Sequence, residues 1–300
     1  MKFLFVILTI FFALDAYSID YVFNASSGIV INWTSGDKVG VFAENDSQTR
    51  FLLNSVNGSD NHKATFYGPG FSLKNNKQYF GLCPFSNDYY ENANVSSSLP
   101  VSFPTLTQSA NGALEHIAKS DIMRASVKTT TENTATFTFS HICSVIRVCM
   151  TVPESATFDS AVLTSSKGGF MQSGVMNIET GAISNVVTAK SLNLALNDIN
   201  VNRGNKLTVY FITPAVNLAD ATMTATITST EGYSYQCSFA GKNLTAGTVN
   251  NIERTVVAVA LPSSKAPRKA KLHPDSEAHA LFSHYRTEQS SPSCEERKGK

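Results

Sequence analysis

At 300 residues with 42% hydrophobic content, the chain can build one large domain or two of ordinary size, each around a packed core. Charged residues make up only 16% of it and the formal net charge is +1, so no strong field marks nucleic acid or anionic lipid as the partner. These values argue against a nucleic-acid-binding protein.

The first residues, MKFLFVILTIFFALDAYS, place Lys2 ahead of an apolar run from Phe3 to Leu14, then Ala16 and Ser18 at the small-residue spacing of a signal-peptidase site. Residues 1–18 are expected to be a secretory signal cut after Ser18. The apolar run is well short of the ~20 residues that cross a bilayer. Next comes WTSGDKVGVF at 33–42, in which the only tryptophan precedes a polar turn and a short alternating run. GPGFS at 68–72 reads as a turn, and GALEHIAKSDIM at 112–123 as a short helix.

The polar, threonine-rich stretch SVKTTTENT at 126–134 is the expected domain break. Beyond it, TFTFS at 136–140, SLNLALN at 191–197, TMTATIT at 222–228 and YSYQCSF at 233–239 alternate apolar and polar residues with the period of half-buried strands. Turn clusters such as NSVNGSDN, SSKGG, NVNRGN and STEGY separate the strands, the spacing of an all-β sandwich. Phe137 and Phe139 set an odd apolar parity, whereas Ile142, Ile146, Val148, Met150 and Val152 set an even one. A bulge or bend near His141 is therefore expected, because a one-residue offset moves each later side chain to the other face. His141 itself reads as structural, since no acidic or thiol partner follows it at ligand spacing. The last residues, 262–300, hold His273, His279, His284 and a KAPRKAK run with almost no alternation, and are expected to be a disordered tail.

The cysteines are Cys83, Cys143, Cys149, Cys237 and Cys294, an odd set without a metal-type pair. In one strand, Cys143 and Cys149 would lie roughly 20 Å apart, far beyond disulfide reach. A Cys149–Cys237 bridge between neighbouring strands stays open beside the reading of buried free thiols. No nucleophile elbow, zinc-protease helix, phosphate loop or dinucleotide fingerprint occurs, and His62, His116 and His141 stand in unrelated contexts. The reading is of a non-enzyme with no catalytic, cofactor or metal site and no identified binding residues; a hydrolase would need two facing acids in a cleft. Asn-x-Ser/Thr sequons begin at Asn24, Asn32, Asn45, Asn57, Asn94 and Asn243.

Taken in order, WTSGDKVGVF, ATFYG, YFGLCPF, PTLTQ, SDIMRAS, TFTFSHICSVIRV, GGFMQSGVMNIETG, VYFITPA and AGKNLTAGTVNNI resemble the fimbrillin-like family of Bacteroidales surface proteins, over residues 20 to 258. The resemblance implies an all-β chain of two tandem transthyretin-like sandwiches, here 19–133 and 134–261. It also implies export to the cell surface or fimbrium, in association with the outer membrane. The implied role is a structural subunit or an accessory or tip adhesin. Its partners would be other fimbrial subunits, joined by strand addition, and a host or bacterial surface glycan or protein. Polymerising members lose an N-terminal strand by cleavage after an arginine, and the groove takes a strand from the next subunit. Two features depart from the family pattern. No cysteine precedes Cys83, so lipid attachment at the signal site is not expected, and the first arginine, Arg50, lies beyond GDKVGVF. Within this frame, IDYVF at 19–23 and IVINW at 29–33 form the first strand or hairpin, Trp33 closes the end of its core, and Gly36 and Asp37 turn into Lys38–Phe42. The alternative is a monomeric surface protein for glycan capture, using Trp33 or an exposed cluster such as Tyr89 with Tyr90.

Overall fold

Period-two patterning with many β-branched and aromatic residues favours strands, and strands dominate the computed structural model. It describes residues 20–24, 28–58, 60–129 and 133–259. The expected signal at 1–18 and the expected tail at 262–300, with Cys294 and KAPRKAK, lie outside the described residues.

In chain order the elements begin with strands β1 (Asp20–Asn24), β2 (Gly28–Asn32), β3 (Lys38–Ala43), β4 (Thr49–Asn57), β5 (Asp60–Tyr67) and β6 (Gln78–Cys83). Helix α1 (Asn87–Glu91), strands β7 (Leu99–Ser102) and β8 (Leu106–Gln108), helix α2 (Glu115–Ser120) and strands β9 (Met123–Lys128) and β10 (Ser140–His141) follow. The next strands are β11 (Cys143–Thr151), β12 (Ala156–Ser165), β13 (Phe170–Met176), β14 (Ile183–Ala189), β15 (Ser191–Val201) and β16 (Lys206–Pro214). The last are β17 (Val216–Asn217), β18 (Thr222–Ser229), β19 (Ser234–Ala240), β20 (Asn243–Leu244), β21 (Val249–Thr255) and β22 (Val257–Val259).

Two six-stranded sheets run in the orders β10-β9-β6-β3-β4-β5 and β22-β19-β18-β12-β15-β8. Smaller sheets are β16-β11-β21, β14-β13-β7, β17-β20 and the hairpin β1-β2. In one core, Ile146, Val148 and Met150 of β11 and Leu207, Val209 and Phe211 of β16 meet Leu163, Leu194 and Ile227 of the second six-stranded sheet. In the other, Val41, Phe42, Phe80 and Leu82 are buried with Tyr21, Ile29, Leu99, Ile117 and Met176. Strand β11 serves both, since Cys143 and Val145 belong to the second core and the later residues to the first. Strands β7 and β8 also cross over, pairing with β13 and, in parallel, with β15.

The expected elements at 191–197, 222–228 and 233–239 are the strands β15, β18 and β19, and the 112–123 segment holds α2. TFTFS is a correction: only Ser140–His141 joins a ladder, opposite Arg124 and Met123. Ala135, Phe137 and Phe139 are still half-buried while Thr136 and Thr138 are exposed. Ring packing sets this alternation, because Phe137 and Phe139 stack with centroids 6.3 Å apart over Gly81, where a Cβ would come within 2.9 Å of the Phe139 ring. The parity break near His141 is a change of sheet: β10 pairs with β9, and β11 pairs with β16 and β21.

Candidate functional site

Strands β1 and β2 pair residue for residue from Asp20↔Asn32 to Asn24↔Gly28, and among the described residues they share a ladder with no other strand. The hairpin is therefore complete in itself and joins the body chiefly through side chains. Tyr21 and Ile29 are buried in the core, and Ile31 and Trp33 pack against it. At the hairpin's exit Trp33 donates its backbone N–H to the Asn61 carbonyl at 2.9 Å and its indole N–H to the His62 carbonyl at 3.0 Å. His62 Nδ1 in turn lies 2.7 Å from the Ile31 carbonyl. The Trp33 ring meets Phe66 edge-on at 5.0 Å and Phe139 at 6.2 Å, so it caps the core from a half-buried seat. Asp37 tightens the following turn by accepting from the Thr34 N–H at 2.7 Å.

Behind the hairpin lies a polar cluster in the core. The Tyr21 hydroxyl donates to Asp121 Oδ2 at 2.9 Å, and His141 Nδ1 approaches the same oxygen at 2.6 Å. Asp121 is wholly buried at the end of α2, and its Oδ1 has no protein hydrogen-bond partner among the described residues. With Asp121 as a carboxylate, which only accepts, His141 Nδ1 is the donor of this pair. Burial first, and then the Asp121 carboxylate, push the Tyr21 phenol well above its ordinary value. Burial likewise raises the Cys83 and Cys143 thiols, with Asp121 adding to both. The His141 ring also packs near Gly247, whose carbonyl lies where a Cβ on Gly28 would come within 2.8 Å. Hairpin, α2, β10 and the turn before β21 thus converge at one place.

The sequence singled out His141 but not its partners, which lie upstream in Asp121 and, through it, in Tyr21. The other histidines stay apart from this cluster: His116 Nε2 sits 3.0 Å from the Tyr210 carbonyl, and burial lowers its pKa. Cys83, Cys143, Cys149 and Cys237 are buried free thiols, which removes the Cys149–Cys237 bridge. Tyr89 and Tyr90 do not form an exposed pair. The Tyr89 hydroxyl donates to the Pro100 carbonyl at 2.6 Å and burial pushes its pKa up to about 12, whereas Tyr90 is exposed with Arg50 5.8 Å over its ring. Among the described residues no three His, Cys, Asp or Glu side chains gather to hold a metal ion, and no helix is long and apolar enough to cross a membrane. A cleft beside Phe103, Leu106, Leu194 and Tyr210 offers about 30 Å³, room for water and not for a metabolite.

The sequence profile of the fimbrillin-like family matches residues 25–266. The chain belongs to the fimbrillin-like family. No match was found among curated proteins. Solved structures of candidate cell adhesion proteins from Bacteroides are similar to this fimbrillin-like chain. The one from Bacteroides ovatus has 15% identity and a TM-score of 0.49, covering 82% of this chain and 97% of its own. The one from Bacteroides uniformis has 16% identity and a TM-score of 0.46, with coverages of 76% and 91%. A third, from Bacteroides fragilis, has 13% identity and a TM-score of 0.43, with coverages of 81% and 91%.

In this fimbrillin-like chain the first arginine, Arg50, lies within β4, beyond β3. Strand β3 is hydrogen-bonded on both sides, to β4 and β6, and Val41 and Phe42 are buried in the core. A cut after Arg50 would separate a central strand from the rest of its sheet, whereas the hairpin ends ahead of Lys38.

Proposed function

We propose that the chain is a non-enzymatic structural subunit or accessory adhesin of cell-surface fimbriae that assembles by strand addition. Membership of the fimbrillin-like family supports a fimbrial or adhesive role for an exported, surface protein. The observation that carries the assembly reading is the self-paired hairpin β1–β2, which covers the core mainly through side chains and, among the described residues, can be withdrawn without breaking another sheet. Its withdrawal uncovers an apolar seat, and each large apolar side chain returned to such a seat contributes about 1.5 to 3 kcal/mol. The partner's strand or hairpin would supply those side chains. The test compares a chain beginning at Ile19 with one beginning at Gly36, by solution mass and electron microscopy. Filaments from the shorter chain alone identify the N-terminal segment as a plug, association of the longer chain alone identifies it as the donor, and two folded monomers exclude this route of assembly.

A second reading is glycan capture by a monomer. It draws on the exposed ring of Tyr90 with Arg50 over it, an aromatic ring beside a cation. A flat response across a broad glycan panel removes it.

A further inference from the structure

The hairpin and its link to the body carry a more specific consequence. We propose that the unit passed between copies is the whole hairpin β1–β2, carried over by an uncut chain about the hinge Thr34–Asp37 and seated on a second copy's Asp121 and His141. This rests on the strand-addition reading above and specifies its partner, another copy of this chain.

Three observations lead there. First, the main-chain ladder of β1 and β2 is internal, so the hairpin leaves with its own backbone bonds made. What it leaves behind is a set of seats, mostly for side chains: Asp121 for the Tyr21 hydroxyl, the core around Ile29, His62 with Phe66 for the Trp33 indole, and the Asn61 carbonyl for the Trp33 backbone N–H. A second copy presents the same seats, so exchange replaces each contact by an identical one and costs little beyond association.

Second, the segment between hairpin and body is built to turn. Ser35 and Gly36 are exposed, Gly36 has φ +96°, and nothing lies within 4 Å of where its Cβ would be. The turn is closed by Asp37, which is itself buried and anchors the body side. Extended, the four hinge residues reach about 14 Å, which limits exchange to a neighbour whose seat lies close by. Third, the hairpin carries one charged side chain, Asp20 at its start, and none from Tyr21 to Trp33, so copies exchanging it meet little like-charge repulsion within it, and no arginine interrupts it for cleavage. Mutual exchange closes a dimer; one-way donation leaves an empty seat and a free hairpin at the two ends and propagates a filament.

The test uses the intact exported chain and variants of its hinge, followed by solution mass at matched concentration. Deleting Ser35 and Gly36 prevents the hairpin from folding back on its own body, and the associated fraction should rise about tenfold. Inserting four Gly/Ser residues should favour self-seating and lower it. Ile29→Asp in the shortened chain, which spoils the hairpin's apolar face, should return it to monomers. Association that ignores hinge length, or that survives Ile29→Asp, overturns the proposal. If the shortened chain does not fold, the lengthened hinge decides: unchanged association, or none in the parent chain, overturns it. Filaments from the chain beginning at Gly36 alongside indifferent hinge variants would sink hairpin exchange while leaving strand addition standing. Monomers in every arm would sink both.

Discussion

Asp121 is the residue on which the hairpin's seat depends. Its side chain is fully buried, and it accepts from both Tyr21 and His141. Asp121→Ala leaves a buried phenol and an imidazole without their acceptor, and should cost about 2 to 4 kcal/mol in urea unfolding. Tyr21→Phe removes one donor and should cost about 1 kcal/mol, with faster hydrogen exchange confined to residues 20–33. Alkaline pH acts on the same cluster. The Tyr21 phenol and the Cys83 and Cys143 thiols hold their protons more tightly folded than unfolded. Their contribution is therefore full below the ordinary thiol and phenol values, 9.0 and 10.0, and is lost as pH rises through the higher folded ones. Denaturant midpoints should fall above about pH 9 and less steeply in Tyr21→Phe. The cluster was only half legible in the sequence. His141 stood at a visible parity break, but its partner Asp121 precedes it in another element and Tyr21 lies far upstream, and a single chain gives no sign of such distant pairs.

Among elements, the hairpin turn is sensitive to one added methyl group. Gly28 has φ +79°, and a Cβ there would meet the Gly247 carbonyl oxygen at 2.8 Å. Gly28→Ala should destabilise the hairpin by more than about 1 kcal/mol, measured as exchange protection in β1 and β2, with the rest of the sheet protection retained. Period-two patterning revealed β15, β18 and β19, where Leu192, Leu194 and Leu196, or Met223, Ala225 and Ile227, turn inward on alternate residues. The same pattern at 136–140 gave the correct faces without the ladder, because ring packing on Gly81 imposes an alternation as regular as that of a paired strand. Periodicity reports burial, and backbone pairing is a separate matter.

At the scale of the whole molecule, we retain the division near Thr134 as a proposal and draw from the cores what it entails. Tyr210 and Ile212 of β16 and Cys143 and Val145 of β11 are buried with the N-terminal core, while β8 lies in the sheet of the C-terminal one. A chain nicked beside Thr134 should therefore elute as one associated species under native conditions, and either fragment expressed alone should aggregate. Two fragments that separate and stay folded would contradict this. The sequence could show a polar break between halves, but it could not show that β7 and β8 reach across it, since short strands paired over long separations leave no local mark.

Trp33 gives the chain a spectroscopic signal of its own. It is the only tryptophan in the sequence and sits half-buried where the hairpin leaves the body, against Phe66 and Phe139. Its fluorescence therefore monitors hairpin docking without an added label. A red-shifted emission and greater quenching by iodide, at constant far-ultraviolet dichroism, would record an unseated hairpin on a folded body. Recovery of the blue-shifted emission with second-order kinetics would record its capture by another molecule.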